Sequence, residues 1–310
     1  MISRAEISAA HDRVRAHIRR TPVLGIEAGA LGLDHPLTLK LEQTQITGSF
    51  KVRGAFNNLL SREVPAAGAV AISGGNHGAA VAHAATRLGV PSRVYVPGMI
   101  AQEVKLARMR GFGAEVIVTE GSVDASFATY EAYARDTGAL AVHPYGSVET
   151  MAGQGTLAAE LEEQAPDLDT LMVAVGGGGL IGGIAAWYAG RIKVVAVETR
   201  GTASLDLTLK GELPEDFAVS GISASGLGAS SIGPEPLKII RAHVAENVVV
   251  TDEDVIEAQR RLWAATRVVC EPGGVTALAA LSSGAYVPQA DERVGVVLCG
   301  GNADPAWFEG

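Results

Sequence analysis

The sequence predicts an α/β fold built from two open, twisted, mostly parallel sheets flanked by helices. Three observations carry this expectation. Apolar runs of strand length recur along the chain, glycine-containing turns follow them, and alanine-rich stretches of helix length follow the turns. Such alternation describes strands buried on both faces together with the helices that cover them.

The first strand region is Leu39-Lys40-Leu41, closed by Gly48. Ser49 is a favoured N-cap residue, and Gly54-Ala55-Phe56-Asn57-Asn58-Leu59-Leu60 continues helically, so Lys51 is expected in a first helical turn. The positive end of the helix dipole disfavours a second cation there and lowers its pKa; burial acts in the same direction. On this run alone, Lys51 reads equally well as a solvated lysine and as a nucleophilic amine behind the Phe50 ring.

The next strand, Ala69 to Ser73, turns into a helix from Gly78 to Leu88. Strands at Val94-Tyr95-Val96-Pro97 and Glu115-Val116-Ile117-Val118 bracket a helix from Ala101 to Arg110, and Leu140-Ala141-Val142-His143 completes the set. Residues 68–145 are therefore expected to form a small α/β domain inserted into a larger one made of 1–67 and 146–310. The larger part continues with the strand Leu171 to Val175, the helix Leu180 to Ala189, the strand Val194 to Glu198 and the strand Val296-Val297-Leu298.

Composition narrows the function. A chain of 310 residues, 47% hydrophobic, can bury a large core. The balance of 25 basic against 34 acidic residues, with no Lys/Arg stripe, excludes nucleic acid as an expected partner. Two cysteines, Cys270 and Cys299, argue for a reducing compartment. Met1-Ile2-Ser3-Arg4-Ala5-Glu6 lacks an apolar signal core and no run is long enough to span a bilayer, so a cytoplasmic protein without a membrane partner is expected.

Four segments carry chemistry. Gly176-Gly177-Gly178-Gly179, between a buried strand and a helix opening at Leu180, frees the backbone so that several N–H groups converge on one anion, a phosphate by preference. Gly177-x-Gly179-x-x-Gly182 also matches the dinucleotide fingerprint, with Glu198 where a ribose-binding acid would stand, so an NAD-dependent oxidoreductase is the competing reading. No Gly-Lys-Ser/Thr follows, which removes a P-loop. The turn Ser73-Gly74-Gly75-Asn76-His77 offers a hydroxyl and free N–H groups to a carboxylate and the Asn76 amide to a phenolic oxygen; the His77 ring reads as a supporting group more readily than as a base. Cys299, at the end of a buried strand, reads by itself as a small core residue.

Together, Ser49-Phe50-Lys51, Ser73 to Gly78, Gly176 to Gly179 and Cys299-Gly300-Gly301-Asn302 resemble the fold-type II pyridoxal-phosphate enzymes, which have the fold of the tryptophan synthase β-subunit. Within them the chain is most similar to serine/threonine dehydratases and the related serine racemases. The resemblance runs from Arg20-Thr21-Pro22-Val23-Leu24 to Asn302. It implies pyridoxal 5'-phosphate as cofactor, Lys51 as its Schiff-base lysine and the catalytic residue, and Phe50 packing on it. Asn76 would hold the ring hydroxyl, Gly176, Gly177, Gly178, Gly179 and Leu180 the phosphate, and Cys299 would face the pyridine nitrogen. Ser73, Gly74, Gly75, Asn76 and His77 would receive the substrate carboxylate. The implied reaction is elimination of water from L-serine, L-threonine or a related 3-hydroxy amino acid to give a 2-oxo acid and ammonia. The family also implies a homodimer.

Departures from the family pattern sharpen this. Racemases of the family carry an acid/base serine where this chain has Gly74, which disfavours racemisation against elimination; β-replacement remains an alternative. At the family's cation site Glu198 is present but Ser204 stands in place of a second carboxylate, with Asp206 nearby, so no metal is expected to bind firmly. Ala224-Ser225-Gly226-Leu227 replaces an Ala-Asp-Gly run, so the substrate wall is expected to differ. Glu271 matches a position near the family's site and reads equally well as a structural acid at a helix end. The sequence ends at Gly310, soon after Asn302, so isoleucine feedback through a C-terminal regulatory domain is not expected.

Overall fold

The computed structural model describes residues 2–303, and within them the chain alternates strand and helix along most of its length. In chain order the elements are α1 (Arg4–Val14), β1 (Val23–Ile26), β2 (Leu37–Leu41), α2 (Lys51–Ser61), β3 (Ala69–Ile72), α3 (Asn76–Arg87), β4 (Ser92–Pro97), α4 (Glu103–Gly111), β5 (Glu115–Thr119), α5 (Val123–Thr137) and β6 (Leu140–Ala141). They continue with α6 (Val148–Gln164), β7 (Thr170–Ala174), α7 (Gly179–Tyr188), β8 (Lys193–Thr199), α8 (Ser204–Lys210), α9 (Pro234–His243), β9 (Glu246–Val250), α10 (Asp252–Thr266), α11 (Pro272–Ser282) and β10 (Val294–Leu298).

Two sheets result. The six-stranded sheet has the order β1-β2-β10-β7-β8-β9, and the four-stranded sheet β5-β4-β3-β6. Every pairing is parallel except β1 with β2, an antiparallel edge. β3 shows how the smaller sheet is covered on both faces. Its Ala69 and Ala71 pack with Val52, Phe56 and Ala80 of α2 and α3, while Val70 and Ile72 join Tyr130 on the α5 side. The small alanines let α3 approach closely; the branched residues fill the wider gap.

Local signals close the helices as the side chains dictate. Ser3 and Glu6 form a reciprocal capping box at α1, as do Thr251 and Asp254 at α10, and proline opens α9 and α11. One expected cap is corrected. Ser49 does not cap α2: its backbone is extended (φ −161°, ψ 161°) and bridges Gly300, so strand-like pairing claims it and its hydroxyl is buried without a partner. The helix opens from Phe50 instead.

Two helices that lead from the strand ends are docked on α6 through glycine. A Cβ on Gly153 of α6 would stand 2.6 Å from Gly54 Cα of α2, and one on Gly183 of α7 would stand 2.3 Å from the Met151 carbonyl and 2.6 Å from Gly155 N of α6. Side chains at these crossings would force the helices apart.

Behind α2 lies a fully buried ion cluster. Arg53 reaches Glu42 (2.7 Å) and Glu160 (3.1 Å), and Lys40 reaches Glu160 (2.5 Å). Two cations and two carboxylates balance, and Thr21, Gln164 and Thr156 supply further hydrogen bonds. Glu42 is held below the usual carboxylate range because the Arg53 charge and hydrogen bonds outweigh burial. No helix among the described residues is long and apolar enough to cross a membrane.

Candidate active site

Parallel strands deliver their C-terminal ends to one edge of a sheet, and the loops beyond them are where a ligand can be gripped. β2, β10 and β7 are neighbours; after them come Lys51, Cys299 and the glycine run. β3 of the other sheet brings Ser73 to His77. Residues from all four line one cavity of about 480 Å³.

The Lys51 ammonium lies 5.1 Å from the centre of the Phe50 ring and donates to the Pro144 carbonyl at 2.9 Å. Removal from water lowers its pKa to about 8, with Cys299 pulling slightly the other way. The side chain retains some exposed area because it faces the cavity. An amine with this pKa is substantially neutral in mildly alkaline solution and able to attack a carbonyl or take a proton.

In the glycine run, Gly178 has φ +89° and caps α7, whose first turn-closing hydrogen bond runs from Gly182 N–H to the Gly178 carbonyl at 2.8 Å. The N–H groups ahead of it have no intrahelical acceptor and stand at the positive end of the helix. Tyr145 presses against the loop: a Cβ on Gly177 would lie 2.3 Å from its ring, and one on Gly179 2.8 Å from its Cα. Glycine is required there by close approach as well as by the turn.

Asn76 is clamped at both ends of its amide. Its Nδ2 donates to Glu271 Oε1 (2.6 Å), and its Oδ1 accepts from Asn302 Nδ2 (2.6 Å), which also donates to the Thr47 carbonyl (3.0 Å). One N–H of the Asn76 amide remains for a ligand. Glu271 is buried, and burial raises its pKa. A Cβ on Gly300 would fall 1.9 Å from Glu271 Oε1, so glycine there admits the carboxylate. Glu271 thus touches the candidate site through Asn76.

The remaining candidates fall as follows. The Ser73 hydroxyl accepts from Gly75 N–H (3.1 Å), which uses one donor of that turn. Buried His77 faces the Val142 carbonyl through Nε2 at 2.9 Å; a carbonyl only accepts, so the proton sits on Nε2, and burial together with the Lys51 charge depresses the pKa to about 3. The ring is neutral and structural. His143 beside it is lowered to about 4 by the same causes. Burial pushes the Cys299 thiol up to about 12, so it stays protonated, 3.5 Å from the Gly273 carbonyl.

Glu198 does not line the cavity. It is buried, accepts from Leu205 N–H (2.8 Å), Asp206 N–H (2.9 Å) and Asn247 Nδ2 (3.2 Å), and is raised to about 7 by burial. The carboxylate that would read a ribose is committed to the start of α8, which removes the support for a dinucleotide. Asp206 pairs with Lys210 at 2.7 Å.

Sequence reasoning missed Tyr145, Ile100 and Phe127, all of which line the cavity. Tyr145 follows His143-Pro144 directly, and that adjacency was the available signal. The other two come from segments with no motif.

The donor set fits a phosphorylated pyridine aldehyde: an amine of lowered pKa, a helix start with free N–H groups, a free amide N–H and a neutral thiol around one cavity. A family model described as pyridoxal-phosphate dependent enzyme matches residues 14–300. The chain belongs to this family of pyridoxal-phosphate dependent enzymes. This pyridoxal-phosphate enzyme is 36% identical over 304 residues to an L-threonine ammonia-lyase of Geobacter sulfurreducens, covering 96% of this chain and 75% of that one. It is 34% identical over 307 residues to a phenylserine dehydratase of Ralstonia pickettii, covering 97% and 94%. The structure of maize serine racemase superposes with a TM-score of 0.91 at 29% identity, over 99% of this chain and 95% of that one. The relatives make the protein a pyridoxal-phosphate-dependent lyase.

Proposed function

We propose that this enzyme eliminates water from L-serine, L-threonine or a related 3-hydroxy amino acid, giving a 2-oxo acid and ammonia, with Lys51 as its base. The observation that carries the reading is an asymmetry of the cavity. One side presents the Lys51 amine with its pKa near 8; the Gly74 position presents no titratable group, and the Ile100 side chain fills the space a side chain there would take. A single base at Cα supports elimination, whereas racemisation needs a second group on the far face.

The bound cofactor would supply an electron sink for the substrate Cα. The chain's own residues do the rest. Gly176, Gly177, Gly178, Gly179 and Leu180 would hold the phosphate with backbone N–H groups, and Phe50 would pack beside the ring. The free N–H of Asn76 holds the ring hydroxyl, with Glu271 and Asn302 fixing the amide. The Cys299 thiol, uncharged, would face the ring nitrogen and would leave the sink mild, which suits a reaction in which a leaving group departs. The turn Ser73, Gly74, Gly75, Asn76 and His77 takes the substrate carboxylate, His77 through its backbone. Lys51, once neutral, removes the Cα proton while the Pro144 carbonyl orients its nitrogen. We further place residues 68–145 in one domain and 1–67 with 146–310 in the other, and the enzyme in the cytoplasm as a homodimer; two buried thiols support a reducing compartment.

The test is direct. Holoenzyme offered a panel of L- and D-3-hydroxy amino acids should release 2-oxo acid and ammonia one for one, and Lys51→Ala should release neither. Absence of 2-oxo acid from every member of the panel would overturn the proposal.

A further inference from the structure

We infer that this enzyme selects 3-hydroxy amino acids whose β-substituent is bulky and apolar, aryl or branched alkyl, and that Ile100 sets the preference. The inference rests on the dehydratase reading above. Outside the motif residues the cavity lining is largely hydrocarbon, with Gln102, Lys105, Ser225 and Ser230 as its polar members. Met99, Ile100, Val123 and Phe127 come from one side, and Val219 and Leu227 from the other.

The Gly74 position decides how that wall is built. A Cβ on Gly74 would stand 2.7 Å from Ile100 Cδ1, so the absence of a side chain lets Ile100 lie over the turn. The loop that departs from the family pattern completes the enclosure: the Ser225 carbonyl is 3.7 Å from where a Gly75 Cβ would be, and Leu227 is buried against Gly176.

Exposure points the same way. Met99, Ile100 and Val123 are 70%, 48% and 37% exposed, although all three line the cavity. Large hydrophobic side chains clustered at a cavity rim gain by being covered, and an apolar ligand group covers them.

Charge excludes a cationic substituent. Among the described residues lining the cavity there is no Asp, Glu or Arg; the cations are Lys51 and Lys105, and His77 is neutral. Burial lowers the Lys105 pKa while the Glu271 charge raises it, and Arg108 one turn later donates to the Thr47 carbonyl. A cationic substituent would find no carboxylate, and an anionic one would find a single cation, Lys105, besides Lys51.

The experiment compares kcat/KM of holoenzyme for 3-phenylserine, threonine, serine and 3-hydroxyaspartate by 2-oxo acid release. Phenylserine should exceed serine by at least about 10-fold, the discrimination an apolar pocket gives for added hydrocarbon. Ile100→Asp should lower that ratio by about 10-fold or more, and Phe127→Ala should lower it if Ile100→Asp is not recovered folded. Calorimetric titration with L-phenylalanine and L-alanine, which lack the leaving hydroxyl, reads the pocket without turnover: phenylalanine should bind tighter, and Ile100→Asp should remove the advantage. Preference for serine or 3-hydroxyaspartate, or a ratio unmoved by both variants, overturns the inference while leaving the dehydratase reading standing. No 2-oxo acid from any of the four overturns both.

Discussion

Gly153→Ala tests whether α6 sets the position of Lys51, the proposed base. The added methyl would lie 2.6 Å from Gly54 Cα, 2.8 Å from the Arg53 carbonyl and 2.8 Å from Asn57 Cβ, all on α2. Two of these are backbone atoms, so no rotamer change relieves them. Carbon atoms rest at about 3.5–4.0 Å, which requires α2 to retreat by about 1 Å. Overpacking of this kind costs about 1–3 kcal/mol, offset by about 1 kcal/mol from the better helix propensity of alanine. The net loss, about 0–2 kcal/mol, should lower Tm by at most roughly 8 °C. The larger effect is on rate. Lys51 begins the displaced helix, and a misplacement of about 1 Å costs about 100-fold. The assay is kcat/KM by 2-oxo acid release alongside thermal unfolding, with Gly111→Ala, whose Cβ would meet nothing within 4 Å, as control. If Gly153→Ala keeps kcat/KM within about 3-fold of the parent and its Tm, the helix crossing does not position Lys51.

Two further outcomes follow from buried charge. Lys40→Met leaves Glu160 with one cation fewer in a site closed to water, which should cost about 3–5 kcal/mol, read as a lower denaturation midpoint; a loss under about 1 kcal/mol would show that the cluster tolerates an unpaired carboxylate. Glu198 has a folded pKa of about 7, above its ordinary value of 4.5, so the folded state binds the extra proton and stability falls as pH rises through that window. Glu198→Gln removes the penalty: it should raise Tm at pH 8 more than at pH 5, and an equal effect at both would refute the shift.

The sheet strands that lie inside the molecule were readable because burial on both faces forces continuous apolar runs, as in Ala69–Ile72 and Thr170–Ala174. β1 and β9 were not read as strands. Both are edge strands, as are β5 and β6, which the sequence did show; what hid them is the short run of β1, interrupted by Gly25, and the polar start Glu246-Asn247 of β9. In the site, each motif named a strand end, but not what holds the residues there. The partners of Asn76 are 195 and 226 residues away in sequence, and no local pattern encodes such a pairing. Ser49 misled for a related reason: a residue suited to capping was taken by a bridge to Gly300, 251 positions further on by subtraction of their numbers. The glycines of α6 carry the opposite lesson. By propensity they weaken a helix, and only the neighbours that press on Gly153 and Gly155 explain why they are there.

The clamp on Asn76 has a mechanical side. Asn76 opens α3, against the four-stranded sheet, while Glu271 and Asn302 flank α11 and β10 of the other half; Arg108 of α4 reaches the Thr47 carbonyl along the same seam. These bonds form a latch across the cleft, fastened through Asn76, the residue proposed to offer its remaining N–H to the ligand. Prising the two sheets apart would strip that residue of its supports, so the grip on what lies in the cleft and the opening of the cleft are one event.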